Sequence, residues 1–346
     1  MKAKPARTVA IFFVATPLHY LAARSIALHF EANSRCIVVP YMPVARQLVQ
    51  ERDWDGVAYA PWPRFAPLPG PFGRHRRLLS NLRDVAAAIG QCHTLLIHSP
   101  VFDTEAINYF LRGLPPRCGA TEMHARVLPD GLMNISRHPL TPIKRAGQAL
   151  RQLRRLVSPQ LDYWSFGGDR IGSDAPFVDR IYTLAGFPHD YPTEKVTALP
   201  PLVSDHDHKS SQVTDNSVLL VGQPLVGIGA LSPQQHDSIV SAISSWTKAQ
   251  GISKVLYKAH PRDPNHELRI PESQVLNITE PLESHMATHH YRAVIGVNST
   301  ALYLARQIYG PEVSVVSFGN DKVHFKNPDQ GKKAAQLMDL LGIQRF

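Results

Sequence analysis

Cysteine is scarce in this chain of 346 residues. Only three occur, Cys36, Cys92 and Cys118, and no two of them have the C-x-x-C spacing of a metal site or a redox pair. An odd number of widely separated cysteines also excludes the disulfide framework of a small secreted domain. We therefore expect three reduced cysteines in a core and a cytoplasmic protein.

Long apolar runs are also missing. No run approaches the ~20 residues of a membrane helix, and the early stretch Val9–Ala15 lies between Arg7 and Thr16. The charged residues 1–7 before this stretch resemble the start of a signal peptide, but no small-residue cleavage site follows. We therefore expect a buried strand here. Low-complexity tracts and repeats at the roughly 20–50-residue periods of solenoids are absent too.

The composition is that of a folded protein with two domains. Hydrophobic residues make up 44% and charged residues 19% of the chain, which is too apolar for a disordered protein. The length exceeds the roughly 250–300 residues at which single cores stop growing. A polar, proline-bearing stretch at 198–216 predicts the boundary, with domains at 1–205 and 206–346.

Short β-branched runs alternate with amphipathic segments in both halves. We predict strands at 8–15, 36–39, 94–98, 124–128, 217–221, 255–258, 293–297 and 313–318. We predict helices at 18–31, 76–89, 104–114 (with Asp103 as its N-cap), 233–249, 299–309 and 332–341, the last of which could pack back on the first domain. This alternation favours an α/β architecture of two doubly wound, Rossmann-type domains that face a central cleft.

The charge of the chain is positive. A formal net charge of +9, with 17 histidines that can add to it, indicates attraction to an anionic partner. Segment 141–157 has five cations, no acid and apolar residues at helical spacing, which predicts a basic amphipathic helix. Such a helix could lie on the anionic inner membrane, bind a long acidic substrate, or pack with solvated arginines.

The segment Val255–Arg262 has three nitrogen-bearing side chains where an apolar strand ends. Lys258, His260 and Arg262 stand within five positions, and Pro261 restricts His260 to extended backbone. Such a cluster suits a phosphate, to which the histidine could donate a hydrogen bond or a proton. From these residues alone, an ordinary basic surface loop is an equal alternative.

The segment Ala293–Ala301 predicts a strand that runs directly into a helix through Asn298, Ser299 and Thr300. Free backbone N–H groups and the positive end of the helix dipole attract anions at such a junction. N-capping by Ser299 without any ligand is the alternative. Two anion-suited strand ends in one domain favour a phosphate site.

Two further strand ends carry candidate residues. After the strand at 217–221, Gly222 permits close approach of a ligand and the amide of Gln223 could contact a base or a ribose, although a tight loop explains both. In the first half, Pro129, Asp130 and Gly131 end a strand, and Asp130 could accept a proton from a sugar hydroxyl. Pro-Asp-Gly is also a common turn sequence.

Metal ligands with suitable spacing are missing. Asp205 and Asp207 match the Asp-x-Asp pattern of metal-dependent sugar transferases but stand in the polar linker. His285, His289 and His290 lack an acidic or cysteine partner at clear spacing, so we assign them to a solvated helix face. We expect no metal cofactor.

Five short segments, in their order along nearly the whole chain, resemble the bacterial sialyltransferases, nearest to the polysialyltransferase and lipooligosaccharide sialyltransferase groups. They are Thr16–Tyr20, Asp130–Gly131, Gly222–Pro224, Lys258–Pro261 and Asn298–Thr300. Those families carry an acidic-acidic-Gly motif with the general base, a His-Pro motif that meets the donor phosphate, and a Ser-Ser/Thr motif for the same phosphate. Here the first acidic position is Pro129, so one carboxylate remains.

The resemblance implies a GT-B fold, a CMP-activated nonulosonic acid as donor, a surface glycan as acceptor, inversion at the anomeric carbon and no metal. It implies that Asp130 is the general base and that His260 is the acid at the phosphate. The other implied sites are the donor phosphate (Lys258, Asn298, Ser299, Thr300), the nucleotide (Gly222, Gln223, and Glu283 at the ribose) and a cleft loop (Thr16, His19). No nucleic acid partner is expected.

Two other functions fit parts of the pattern. Polymerases that transfer glycerol phosphate from CDP-glycerol, in capsule or teichoic acid synthesis, also use a Lys-x-His-Pro strand end and a Ser-Ser helix start. A non-catalytic, basic binder of membranes or nucleic acid would need only the charge and segment 141–157. That alternative leaves the strand-end placement of His260 and Asp130 unexplained.

Overall fold

The chain divides into two compact units, Met1–Leu202 and Val203–Phe346. The computed structural model describes residues 6–131, 137–200, 202, 212–213, 216–260, 262–278, 280–325 and 328–346. The domain boundary predicted between residues 205 and 206 lies outside these ranges, as do Asp205, Asp207 and Pro261.

Unit 1 is built on a parallel sheet. Its strands are β1 (Ala6–Val14), β2 (Arg35–Pro40), β3 (Gly56–Val57), β4 (Cys92–Ser99), β5 (Glu122–Val127), β6 (Val178–Thr183) and β7 (Val196–Ala198), in the order β3-β2-β1-β4-β5-β6-β7. The side chains of β1 alternate between two cores, because Ile11 and Phe13 belong to the same core as Leu82, whereas Phe12 and Val14 join the opposite core. Both faces of the sheet are therefore covered, as the apolar strands predict.

The helices of unit 1 are α1 (Pro17–His29), α2 (Pro43–Leu48), α3 (Gly73–Ile89), α4 (Asn108–Gly113), α5 (Pro115–Cys118) and α6 (Pro142–Gln152), and a 3₁₀ turn, Leu153–Leu156, continues α6. The prediction that Asp103 caps a helix from 104 is wrong, because α4 begins at Asn108. Asp103 instead accepts a hydrogen bond from the Tyr163 hydroxyl at 2.8 Å.

Unit 2 is built on a second parallel sheet. Its strands are β9 (Ser217–Val221), β10 (Lys254–Lys258), β11 (Ser273–Val275), β13 (Ala293–Gly296), β14 (Ser314–Ser317) and β15 (Gln344–Arg345), with a small separate pair, β8 (Gln212–Val213) and β12 (His289–His290). The main sheet has the order β11-β10-β9-β13-β14-β15. The helices are α7 (Pro233–Ala249), α8 (Leu282–Thr288), α9 (Thr300–Tyr309) and α10 (Pro328–Leu340).

Each sheet has one point where the strand order reverses. In unit 1 the reversal lies between β1 and β4, and in unit 2 between β9 and β13. In open α/β sheets, ligands bind at the carboxyl ends of the strands beside such a point. Thr16 and His19 follow β1, and Gly222 and Asn298 follow β9 and β13, so these four candidate residues lie beside the reversals. Asp130 and His260 follow the next strands of the two sheets, β5 and β10.

The buried state predicted for the cysteines is confirmed, since Cys36, Cys92 and Cys118 are buried and free. Among the described residues, no helix is both long and apolar enough to cross a membrane.

Candidate active site

In unit 1 a histidine and an aspartate, 111 residues apart in sequence, form a close pair. The Nε2 of His19 lies 2.8 Å from Oδ1 of Asp130. His19 is buried, whereas the side chain of Asp130 is 29% exposed, so the carboxylate is within reach of a substrate. Gly131, at φ +56°, supplies the left-handed backbone that lets the chain turn directly after Asp130.

The backbone at the start of α1 sets the orientation of His19. The Thr16 hydroxyl caps α1 by accepting the N–H of His19 at 3.2 Å. The Nδ1 of His19 accepts the N–H of Ala15 at 3.3 Å. Nδ1 is therefore the unprotonated nitrogen of the neutral ring, and Nε2–H donates to Asp130. Thr16, His19 and Asp130 thus form one hydrogen-bonded arrangement, in which His19 holds the carboxylate.

In unit 2 the residues after β10 hold His260 in one tautomer. The N–H of Arg262 donates to Nδ1 of His260 at 3.1 Å, so the proton of the neutral ring is on Nε2. The N–H of Asp263 donates to the carbonyl of His260 at 2.9 Å, which closes the turn. Burial, followed by the positive charge of Arg262, lowers the pKa of His260. The ring is therefore neutral near pH 7, with an Nε2–H that can donate.

Lys258 ends β10 next to this turn. Its carbonyl accepts the N–H of Gly222 at 2.9 Å, which ties the loop after β9 to the end of β10. Burial lowers the pKa of the Lys258 ammonium, while the charge of Glu280 opposes that shift. A Cβ at Gly222 would clash with the Tyr257 hydroxyl and lie 3.0 Å from the Lys258 carbonyl oxygen, so the neighbouring strand requires glycine here.

Gln223 connects the two strands at the reversal of the sheet. Its side-chain nitrogen donates to the carbonyl of Asn298, and its side-chain oxygen accepts the N–H of Asn298, both at 2.8 Å. The amide predicted to contact a base or a ribose thus binds the backbone of Asn298, 75 residues away in sequence. Gln223 thereby fixes the segment that precedes α9.

The start of α9 has the geometry of a capped helix N-terminus. Ser299 is the N-cap, with φ −103° and ψ 138°, and its hydroxyl accepts the N–H of Ala301 at 3.3 Å. The Nδ2 of Asn320 lies 3.4 Å from the side-chain oxygen of Asn298, which adds a second support to this segment. Thr300 opens the helix, whose ten residues direct the positive end of their dipole towards Asn298–Thr300.

Glu283 lies in the first turn of α8 and is buried. Its Oε2 has no hydrogen-bond partner among the described residues. Burial raises the pKa of this carboxyl. A buried acceptor without a partner is costly, and such groups occur at sites where a ligand supplies the partner.

The three histidines at 285–290 differ from the prediction of a solvated helix face. His289 and His290 form the short strand β12 and are half-buried, so the prediction is wrong for them. His285 is buried and its ring lies 2.9 Å from Glu280 and 2.7 Å from the Tyr291 hydroxyl, so the prediction is wrong for this residue. His289 stacks on His285 at 3.9 Å between ring centroids. Within the described ranges, no three metal-ligating side chains come together in a group that could hold a metal ion.

Sequence reasoning had named most of these residues but not their partners. It had no signal for the pairing of His19 with Asp130 or of Gln223 with Asn298, because both pairs are distant in sequence. It also missed Asp263, which is buried and accepts hydrogen bonds from the Tyr257 hydroxyl at 3.2 Å and from the N–H of Glu267 at 2.9 Å. An acidic residue just after a basic cluster was the available signal.

Solved structures show which fold class the two sheets define. The glycosyltransferase of kitacinnamycin is 13% identical to this chain, with a TM-score of 0.53, covering 98% of this chain and 85% of that one. A variant of Os79 from O. sativa in complex with UDP is 12% identical, with a TM-score of 0.53 and coverages of 98% and 86%. A sialyltransferase from Photobacterium damsela is 11% identical, with a TM-score of 0.53 and coverages of 98% and 81%.

These likenesses confirm the predicted fold, an α/β GT-B type with two Rossmann-like domains. Residues 180–316 match the sequence model of the alpha-2,8-polysialyltransferase (POLYST) family. The predicted resemblance is thus confirmed over these residues, and the match supports a glycosyltransferase of the sialyltransferase type. The matched range includes His260, Glu283 and Ser299 but not Asp130. No curated protein was found to match the chain.

Proposed function

We propose that this enzyme transfers a nonulosonic acid, sialic acid or a relative, from its CMP-activated form to a hydroxyl of a surface glycan, with inversion at the anomeric carbon. The observation that carries the proposal is the tautomer of His260, whose Nε2–H is the donor at the end of β10. A neutral imidazole that donates a hydrogen bond suits a phosphate that gains negative charge as its bond to the sugar breaks.

On the donor side, the bond between the anomeric carbon and the phosphate oxygen breaks, and its electron pair stays on the oxygen of CMP. His260 donates from Nε2 to this phosphate, and the Lys258 ammonium adds a positive charge. The N-terminus of α9, at Asn298, Ser299 and Thr300, contributes N–H and hydroxyl donors to the same group. These donors stabilise the leaving group, which is the largest electrostatic demand of the reaction.

On the acceptor side, Asp130 takes the proton of the glycan hydroxyl as that oxygen bonds to the anomeric carbon. A sugar hydroxyl has a pKa far above neutrality, so a carboxylate within hydrogen-bond distance is needed. His19 is a positioning residue in this proposal, because its Nε2–H holds Oδ1 of Asp130 in place. The N-cap Thr16 supports the backbone that orients His19.

For the nucleoside, we assign Glu283 to the ribose of CMP. Its unpartnered, buried Oε2 can accept hydrogen bonds from ribose hydroxyls. Gly222 and Gln223 contribute by shaping the loop between β9 and the start of α9, since Gln223 binds the backbone of Asn298.

We further propose that the reaction needs no metal ion and takes place in the cytoplasm. Protein donors at the phosphate can replace the cation that many nucleotide sugars require. Three buried, free cysteines support a reducing compartment.

Ligand binding and product analysis test the proposal. CMP should raise the melting temperature of the protein more than CDP-glycerol does, and mass spectrometry should detect glycan products from CMP-sugars in buffer with EDTA. Stabilisation by CDP-glycerol alone would favour the polyol phosphate transferase, and loss of activity with EDTA, restored by Mg²⁺, would contradict metal independence.

A single substitution tests the role of His260. His260→Ala should lower turnover by about 10²–10⁴-fold, with a smaller loss of CMP affinity, because the ring acts mainly on the developing charge. His290→Ala is the matched control, since His290 precedes β13 at the opposite, amino-terminal edge of the same sheet. Unchanged turnover in His260→Ala would refute the assignment.

A further inference from the structure

Unit 1 has a surface on which apolar and basic side chains are concentrated. Two segments form it, 64–83 and 141–157, and we call it the basic apolar face. Segment 64–83 comprises a loop and the first part of α3, and segment 141–157 comprises α6 and the 3₁₀ turn that follows.

The apolar side chains of this face are unusually exposed. Seven of the twelve large hydrophobic residues that are exposed in the described part of the chain belong to these two segments. They are Leu68, Phe72, Ile143, Leu150, Leu153, Leu156 and Val157. In α6 only Gln148 is buried, so the apolar stripe of this helix does not face the core of unit 1. A concentration of this kind marks an interaction surface.

Phe72 has a second unusual property. Its φ of +55° is in the left-handed region, which an aromatic residue rarely adopts. The residue is 85% exposed, so no burial in unit 1 offsets the cost of this backbone. Strained residues of this kind concentrate at functional sites. Phe72 is therefore held outward, immediately before α3.

The same two segments carry all of the net positive charge. Each contains five lysine or arginine residues and no acidic residue. Together they contribute +10 to a formal net charge of +9, so the remaining residues sum to −1. The net positive charge of this chain thus comes from these two segments, while the charges of the remaining residues nearly cancel.

Contacts within unit 1 join the two segments. The Nε2 of His75 lies 2.9 Å from the Ser158 hydroxyl, directly after the second segment. Arg74 and Arg154, one from each segment, both form ion pairs with the buried carboxylate of Glu105. Exposed parts of the two segments therefore lie side by side and form one surface.

More arginines surround Glu105 than its single negative charge can neutralise. Arg64 also approaches this carboxylate, at 3.7 Å. Burial, and then the nearby Arg64 and Arg154, lower the pKa of Arg74 to about 10. The face is thus electropositive even where an acidic residue pairs with it.

We propose that the basic apolar face docks on an anionic lipid bilayer. Apolar side chains such as Phe72 and Leu156 would enter the boundary between headgroups and acyl chains, and the cations would contact lipid phosphates. Long arginine and lysine side chains can extend to the headgroups while their stems remain in apolar surroundings. An acidic glycan would pair with the cations alone and leave the apolar side chains in water.

Vesicle sedimentation tests the proposal independently of transfer activity. The protein should sediment with vesicles of equal parts phosphatidylcholine and phosphatidylglycerol, and much less with phosphatidylcholine alone or at high salt. Leu156→Ser and Phe72→Asn should each lower the partition coefficient by about tenfold, the value of one buried large side chain. Asparagine is chosen at 72 because it tolerates positive φ.

Charge variants and controls complete the test. Lys144→Gln with Arg155→Gln should weaken binding at low salt, whereas Lys254→Gln with Lys332→Gln, on exposed positions of unit 2, should not. Leu28→Ser and Leu340→Ser, also exposed but outside the face, should bind as the parent does.

Three results would overturn the proposal. Equal vesicle binding by the Leu156→Ser and Phe72→Asn variants and the parent would show that the apolar side chains do not enter the bilayer. Self-association that these variants abolish, without vesicle binding, would assign the face to a second copy of the chain. If the protein binds heparin but not vesicles, and the two variants bind heparin as the parent does, the face would be assigned to an acidic polymer.

Discussion

Removing the amide of Gln223 tests whether this residue holds the segment before α9 in place or contacts the nucleotide directly. In Gln223→Leu, the side chain keeps a similar size but loses both hydrogen bonds to Asn298, each 2.8 Å long. The backbone N–H and carbonyl of Asn298 then lack these partners. If Gln223 holds the segment before α9, the variant should lose stability without any ligand present.

The size of this effect follows from the two bonds. Each contributes about 1 kcal/mol, and a polar group left without a partner costs about 1–3 kcal/mol more when it is fully buried. Gln223 and Asn298 are half-buried, so water can replace part of the loss. We therefore expect the free energy of unfolding to fall by about 2 kcal/mol, or a decrease in Tm of about 5–10 °C for a unit of this size.

Calorimetry of the ligand-free protein, followed by titration with CMP, provides the measurement. The variant should unfold at lower temperature and bind CMP more weakly, because the helix N-terminus at Ser299 is less well positioned. Gln250→Leu is the matched control, since Gln250 is exposed at the far end of α7. An unchanged Tm combined with weaker CMP binding would refute the role of Gln223 in holding the segment before α9, and would indicate direct contact between Gln223 and the nucleotide.

Two further predictions concern the base and the dependence on pH. Asp130→Asn should fold and bind CMP normally, because the donor-binding residues are in unit 2, but transfer should fall by about 10²–10⁴-fold; near-normal transfer would place the base elsewhere. Burial lowers the pKa values of His98, His260 and His285 in the folded protein. As pH falls below about 6.5, the unfolded chain therefore binds more protons than the folded protein does, and the free energy of unfolding should decrease. Denaturant unfolding from pH 7.5 to 5.5 measures the free energy of unfolding, which should depend less steeply on pH in His98→Gln. A free energy of unfolding that stays constant over this range would contradict the prediction.

Local sequence signals predicted most elements of the fold. The bounds of α7, Pro233–Ala249, match the prediction because Ser232 and Gln235 form a capping box and Pro233 occupies the first turn. The strands β6, Val178–Thr183, and β7, Val196–Ala198, were not predicted. They are short, and β6 has Asp179 and Arg180 within it, so neither has a distinct apolar run.

The start of α4 shows how a tertiary contact can override a local signal. Asp103 is a good N-cap by residue type, but its carboxylate accepts the Tyr163 hydroxyl and lies 3.8 Å from Arg151. A side chain with these partners does not cap a helix, and α4 begins five residues later, at Asn108.

The sequence by itself determined the chemistry at each strand end, because residue type and a preceding apolar run are local properties. Lys258, His260, Ser299 and Asp130 could all be named in this way. Their hydrogen-bond partners could not be named. Asp130 meets His19 across 111 residues, and Gln223 meets Asn298 across 75 residues.

Only the tertiary structure decided these pairs, since strands that are neighbours in a parallel sheet are not neighbours in sequence. The order β1-β4-β5 and the order β10-β9-β13 determine which loops share an edge. The same holds for the basic apolar face, where segment 141–157 had a local helical pattern but its contact with segment 64–83 depends on packing around Glu105. Periodicity predicts what an element is, whereas the layer order of the sheet and the core decides what it touches.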